Sequence, residues 1–447
     1  MANVVGIGGL DHNGSICYVV DGEIQFYQEL ERITRQKNVG IEDEAHLDLL
    51  LRPVPADQID IIAIGDYHWW KEKEIWMEPY FTAKFPYAKI EVHHHHLCHL
   101  SAAFFLSPFE EAIVVALDGK GDGLSTSWTY ADRHSEFKIL GGQSSKFSLG
   151  RLWWAFSEAC GFPGHHSAGK TMAFASLGRS EKKLIRMLKW DKWNFSLEHG
   201  SLDEEGWREV EAIERWCNDL LEDGYFPTPE DMAAELQDLT IEIGMKLVQS
   251  LCSHHRVRQV CLAGGVALNG LMNQAVSEIE GVEQLFVPPV TDDRGLSIGA
   301  ALLSTKSAEG TIKSTPRQSP YLGPIQSKEP LMDPVGYSAL DSVEGPLQTL
   351  VKILLAEGIV AWHLGRSEAG PRALCHRSLL ATPTSESLAR SINASIKHRE
   401  WFRPFGCSIQ LESAHQWLEM EGDSPYMLRI VQVMNEKRNI IPGVVHL

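Results

Sequence analysis

Apolar runs bounded by turn residues alternate along this chain with longer stretches of helical periodicity. Val4 to Gly8 predicts a buried strand, Asp11 to Ser15 a polar turn, and Ile16 to Val20 and Glu23 to Gln28 a hairpin closed by Asp21-Gly22. Asp-Gly between two β-rich runs is the strongest short-range hairpin signal. The same order returns downstream: Ala112 to Leu117 is an apolar strand, Asp118 to Gly123 a glycine-rich acidic turn, and Ser125 to Tyr130 and Phe137 to Leu140 further strands. Two such units predict an internally duplicated α/β domain. Between them, Ile59 to Gly65 predicts a strand and Leu97 to Phe105 a helix.

From Met232 to His255 apolar residues recur every three or four positions, the spacing of one helix face, and the run leads into a strand at Val260 to Ala263. A helix is expected straight after Gly264-Gly265, a strand at Leu285 to Val287 and a helix at Gly295 to Leu303. Residues 180–231 carry Trp190, Trp193, Trp207 and Trp216 among many charges, which predicts a helical insertion with a small satellite core. The first domain is therefore expected over 1–305. A proline-rich linker follows over 306–345, with Pro316, Pro320, Pro324, Pro330 and Pro334, and a second domain over 346–447.

Charge changes the picture by exclusion. The 447 residues carry 41 Lys and Arg against 59 Asp and Glu, a formal charge of −18, which disfavours nonspecific nucleic-acid or anionic-membrane binding. No apolar run is long enough for a bilayer and the N-terminus lacks a basic segment before an apolar one, so a soluble cytoplasmic protein is expected. The eight cysteines include no CxxC pair, so reduced, mostly buried thiols are expected and no disulfide framework.

Three constellations carry chemistry. His95 and His99 are four apart, which on a helix places both imidazoles on one face. A solvated histidine edge would give the same spacing, so further ligands decide the matter, and Asp118 and Asp293 are each expected at a strand end, where ligands collect in α/β sheets. Two imidazoles and two carboxylates suit a divalent cation, iron, zinc or manganese. CLAGGVALN predicts a strand, a Gly264-Gly265 turn and a helix start that favours an anion, with Asn269 one turn into the helix and in reach of a nucleotide; a plain tight connection has the same pattern. In the second domain Arg366, Arg372, Arg377, Lys397, Arg399 and Arg403 crowd one stretch, which predicts a pocket for a small phosphorylated substrate.

The segments HNGSICYVVDGEI, LERITRQK, HHHHLCHLSAAFF, SPFEEAIVVALDGKGDG, AGKTMAFASLG, LAGGVALN, TDDRGLSIGAAL, PYLGP, EAGPRALCHRSLLATP and NASIKHREWFRPF, in this order, resemble the motif series of the O-carbamoyltransferases, a family that includes nodulation protein U and antibiotic-tailoring enzymes. The resemblance implies a duplicated actin-like ATPase (ribonuclease H-like) N-terminal domain and a C-terminal YrdC-like α+β domain. It implies that the C-terminal pocket makes carbamoyl adenylate from carbamoyl phosphate and ATP, with Mg2+ accompanying ATP. Carbamoyl then passes at a metal centre, iron by expectation, to the hydroxyl of a small-molecule acceptor such as a natural product, sugar or nucleoside.

Carried over by position, His95, His99, Asp118 and Asp293 hold the metal and His12 is the base. Gly264, Gly265 and Asn269 hold the adenylate, joined by Lys170 of the AGK stretch and Gly121 of DGKGDG. Arg372, Lys397 and Arg403 grip carbamoyl phosphate, with Arg377 and Arg399 as further candidates. Relatives usually have Asp where Asn13 stands and often a histidine near Asn38. The family motif that starts at IPGVVHL continues in relatives, which makes the second domain incomplete and a fragment, a partner chain or a degenerate adenylating half the expectations. Two rivals stand beside this reading: a phosphotransferase of the actin-like superfamily, and a noncatalytic remnant that binds nucleotide and metal.

Overall fold

The computed structural model describes residues 2–198, 205–310, 312, 319–325 and 344–446. The chain forms two compact units. The first comprises residues 1–322 with the short returns Ala369–Pro371 and Leu428–Ile430; the second comprises Gly323–Glu368, Arg372–Met427 and Val431–Leu447.

In the first unit, β1 (Asn3–Gly8), β2 (Ser15–Val20) and β3 (Glu23–Glu29) form an antiparallel meander. Helices α1 (Leu30–Thr34) and α2 (Glu44–Leu51) precede β4 (Ile61–Ile64), α3 (Tyr67–Lys84), β5 (Lys89–Val92) and α4 (His95–Phe105). β4 pairs parallel with β1 and β5 parallel with β4, so the sheet order is β3-β2-β1-β4-β5.

The second sheet repeats the plan. β6 (Glu111–Gly121), β7 (Leu124–Asp132) and β8 (Gly141–Ser144) form the meander, and β11 (Gln259–Ala263) and β12 (Gln284–Phe286) add in parallel, giving β12-β11-β6-β7-β8. Meander then parallel additions, twice, is the duplicated ribonuclease H-like arrangement of the actin-like fold. Between β8 and β11 run α5 (Leu149–Ala159), α6 (Ala168–Phe174), α7 (Lys183–Met187), the hairpin β9 (Leu188–Asp191) and β10 (Asn194–Leu197), α8 (Val210–Glu222) and the long α9 (Pro229–His255). α10 (Gly270–Ser277) precedes β12 and α11 (Leu296–Glu309) follows it.

Several expectations shift. β8 lies at Gly141–Ser144 and not at Phe137 to Leu140, because the Phe137 ring is taken up against Phe104 and Phe105. Residues 180–231 are not wholly helical, since they contain the β9–β10 hairpin; Trp207 and Trp216 are buried there against each other, as a satellite core requires. The helix after Gly264-Gly265 begins a turn late: 265–268 is a 3-10 turn and α10 starts at Gly270. α11 runs to Glu309, past the expected domain end at 305, and residues 311, 313–318 and 326–343 of the expected linker lie outside the described residues.

Close approaches set the core. Gly6 and Gly8 of β1 leave room for α11, where a Cβ at Gly6 would stand 1.9 Å from the Ser297 carbonyl. On the other face of α11, a Cβ at Gly299 would stand 2.0 Å from the Cys98 carbonyl, so α4 and α11 cross in backbone contact, and Ser101 donates to the Gly299 carbonyl at 3.0 Å.

The second unit contains α12 (Glu344–Leu355), the antiparallel pair β13 (Val360–His363) and β14 (Arg377–Leu380), and α13 (Glu386–Ser391), with irregular chain beyond. Among the described residues that pair is its whole sheet, a smaller α+β body than the family resemblance leads one to expect. All eight cysteines are free thiols, five of them buried. No described helix is long and apolar enough to cross a membrane.

Candidate metal centre

α4 begins at His95 and holds His95 and His99 on its inner face, both almost without exposure. β6 passes beneath them. Its pairing with β7 slips between Leu117 and Gly121, and this bulge turns the Asp118 carboxylate out of the ladder toward the imidazoles. Asp118 therefore sits inside the strand and not at its end. Asp293 is also no strand terminus, since β12 ends at Phe286 and Asp293 opens the 3-10 turn Asp293–Gly295 before α11.

The four side chains meet. His95 Nε2 is 3.1 Å from His99 Nε2, 3.5 Å from Asp118 Oδ2 and 3.6 Å from Asp293 Oδ1. His99 Nε2 is 3.4 Å from Asp293 and 4.0 Å from Asp118, and one ligand atom from each residue lies within 4.8 Å of all the others. Ligands 2.0 to 2.2 Å from a tetrahedral cation stand roughly 3.3 to 3.6 Å apart, so the spacing fits a divalent ion. The charges fit as well. Among the described residues no Lys or Arg lies within ion-pair distance of Asp118 or Asp293, and buried carboxylates need a cation or a proton. Burial works against a charged His95, but the carboxylates of Asp293, Asp118 and Asp66 outweigh it and raise its pKa well above the ordinary imidazole value. Asp118 is held well below the usual carboxylate range, where His95 and His99 overcome the upward push of burial.

The Gly264-Gly265 turn serves this centre directly. Gly265 N–H donates to Asp118 Oδ1 at 3.0 Å, and Gly264 N–H to the Thr291 carbonyl at 2.8 Å. Gly264 has φ +82°, and a Cβ there would stand 2.1 Å from the Leu117 carbonyl, so glycine is required. Asn269 is the N-cap of α10 rather than a residue one turn in: its Oδ1 accepts from Met272 N–H, and its amide pairs both ways with Gln237. At Gly121 a Cβ would stand 2.1 Å from the His95 ring. Lys170 lies half-buried on α6.

His12 Nε2 is 3.5 Å from Asp293 Oδ2, and Asn13 meets His12 Nδ1 at 3.0 Å. The motif reading missed His165 and His166, whose rings lie 5.2 and 6.2 Å from that of His12; Trp154 is 5.4 Å from His165. The doubled histidine between Gly164 and AGK was the available signal. Burial, with His165, His12 and Arg294 nearby, lowers His166 to about 3, so it is neutral. Arg294, next to Asp293, ties to Asp292, Glu31 and Asn38 Oδ1, and its carbonyl accepts from Ser15 and Tyr27 hydroxyls.

In the second unit, Glu368 Oε1 accepts from the backbone N–H groups of Leu374, His376 and Arg377, and Arg377 Nε is 3.3 Å from Oε2. Arg399 donates to Asn393 Oδ1 at 2.6 Å and covers the Phe405 ring; Arg403 lies 3.7 Å from Glu400. Arg377 and Arg399 thus have structural partners. Lys397 closes the turn after 392–396, and Arg372 opens the loop folded about Glu368.

Two family models match in chain order: Carbamoyltransferase N-terminus over residues 84–302 and Carbamoyltransferase C-terminus over 351–447. The chain belongs to the carbamoyltransferase family. The chemistry of that family is transfer of a carbamoyl group. The chain is 28% identical to the uncharacterized protein MJ1051 of Methanocaldococcus jannaschii, over 97% of this chain and 84% of that protein. It is 26% identical to nodulation protein U of Sinorhizobium fredii, over 98% of this chain and 85% of that protein. With nodulation protein NolNO of S. fredii it shares 27% identity over 79% of this chain and 52% of that longer protein. Among solved structures it is similar to component A of the Acidaminococcus fermentans (R)-2-hydroxyglutaryl-CoA dehydratase (TM-score 0.43, 15% identity, 69% of this chain and 99% of that one). Full-length HypF gives the same TM-score, 0.43, at 14% identity, over 69% of this chain and 47% of that one.

Proposed function

We propose that this chain is an ATP- and metal-dependent O-carbamoyltransferase that moves H2NCO from carbamoyl phosphate, through carbamoyl adenylate, to a hydroxyl of a small-molecule acceptor. The observation that carries the reading is the convergence of His95, His99, Asp118 and Asp293, drawn from three separated stretches of chain, on one point. A divalent transition cation held there supplies a Lewis acid for the carbamoyl carbonyl.

The remaining work falls to the chain's own groups. In the second unit, Arg372, Lys397 and Arg403 bind the phosphoryl oxygens of carbamoyl phosphate; water cleaves it to carbamate and phosphate, and a carbamate oxygen then attacks the α-phosphorus of ATP, forming the bond to AMP as pyrophosphate leaves. In the first unit His12 takes the proton of the acceptor hydroxyl as that oxygen attacks the carbamoyl carbon, and the bond to AMP breaks. Asn13 Nδ2, 3.0 Å from His12 Nδ1, orients the ring. The acceptor belongs beside His12, where Trp154, His165 and His166 offer an aromatic wall.

The test is direct: the protein incubated with ATP and carbamoyl phosphate should yield carbamoyl adenylate by mass spectrometry. ATP turnover that ignores carbamoyl phosphate would instead select a phosphotransferase.

A further inference from the structure

His95 is constrained from every side. Its backbone N–H, at the first position of α4, donates to Asp122 Oδ2 at 2.7 Å. Asp122 Oδ1 accepts from His68 N–H at 2.7 Å, so this one carboxylate joins the N-termini of α3 and α4. One flank of the imidazole is walled by Gly121, whose missing Cβ leaves the ring its space. Nε2 faces His99, Asp118 and Asp293. The remaining polar atom, Nδ1, lies 3.3 Å from Asp66 Oδ2.

Asp66 is itself 4% exposed and fixed. It follows β4 and Gly65, whose N–H donates to the Ile7 carbonyl, and it is the N-cap of α3, with Oδ1 accepting from Trp69 N–H at 3.3 Å. The two oxygens therefore have two jobs. Capping needs one oxygen and is done equally well by Asn or Ser. The second oxygen has no part in the cap.

We propose that Asp66 is a positioning residue for the cation: its Oδ2 accepts the proton on His95 Nδ1, which fixes the ring orientation and leaves Nε2 as the lone pair that binds metal. A carboxylate behind a ligating imidazole also raises the basicity of that ligand and adds negative charge near the ion. The inference rests on the metal-centre reading above and names a residue outside the four ligands.

Zn2+ alone, titrated into metal-free full-length protein against a chromophoric chelator, tests it. His99→Ala calibrates the centre and should lose the site. Asp66→Ser keeps a cap but is too short to reach His95, and should bind Zn2+ about 10- to 100-fold more weakly. Asp66→Asn keeps the cap and a neutral acceptor, and should fall between Ser and the wild type. If Asp66→Ser binds Zn2+ within twofold of the wild type while His99→Ala does not, Asp66 has no positioning role. If the wild type itself binds no Zn2+, or His99→Ala binds as tightly, the metal centre is wrong. Should Asp66→Ser melt lower without metal, the Asn variant decides: a wild-type affinity there overturns the proposal.

Discussion

A buried imidazole set between a second imidazole and two carboxylates has the surroundings of a metal ligand. His99, 1% exposed and 3.4 Å from Asp293, is in this position. His99→Ala should fold, since it removes polar atoms and not apolar packing, but metal content by elemental analysis should drop to background and carbamoyl transfer by at least about 100-fold. Metal retained in that variant would remove the centre. His12 separates from it: His12→Gln should keep the metal and adenylate formation yet slow transfer to the hydroxyl by about 10²- to 10⁴-fold, the ordinary worth of a general base. Equal loss of adenylate formation would show that His12 acts elsewhere. The four candidate ligands were legible because each announces itself locally, through an i,i+4 spacing or an acidic glycine turn. Asp66 and Asp122 were not, because their task depends on where β4 and the bulge of β6 place them. Asn269 was legible as a polar helix-start residue, and the structure makes it the N-cap of α10.

Elements position this centre more than loops do. Asp293 stands three residues before α11, and α11 meets α4 in backbone contact at Gly299, so the distance from His99 to Asp293 is a helix-crossing distance. Gly299→Ala would place a methyl group 2.0 Å from the Cys98 carbonyl and force the helices apart, at a cost of about 1 to 3 kcal/mol. The melting temperature should fall and metal affinity with it, although residue 299 touches no ligand. A lowered melting temperature with unchanged metal affinity would mean that the crossing does not set the site. The strands were legible at this scale, since β1, β2, β3, β6, β7 and β11 carry alternating or continuous apolar runs between turn residues. α3 was missed: its buried residues are Trp70, Met77 and Phe81, with charges and Pro79 between, too sparse a stripe to declare a helix. β8 was displaced because Gly141–Ser144 has no β-forming side chains, and its strand character comes from pairing with β7.

At the scale of the whole molecule, the two units divide the proposed reaction into separable halves. The loop 372–377 in the second unit is organised by a carboxylate with no side-chain exposure, Glu368. Burial pushes its pKa up, but the N–H groups of Leu374 and His376 and the Arg377 guanidinium outweigh it and hold it below the ordinary value. A depressed carboxylate stabilises the fold above its unfolded pKa of about 4.3, and the contribution is lost as pH falls through the lower folded value. The melting-temperature gap between wild type and Glu368→Gln should thus be constant near neutrality and close below about pH 4. A gap that does not change with pH would mean that Glu368 contributes shape and no charge.

The same division predicts how activity breaks down. Arg403→Ala should abolish pyrophosphate release driven by carbamoyl phosphate while the variant still transfers carbamoyl from preformed carbamoyl adenylate. His99→Ala should do the reverse, since its side chain belongs to the first unit and the arginine to the second. The pair of assays distinguishes two sites from one: if Arg403→Ala loses use of the preformed adenylate as fully as its synthesis, the arginines serve the transfer step itself, and the assignment of adenylation to the second unit falls.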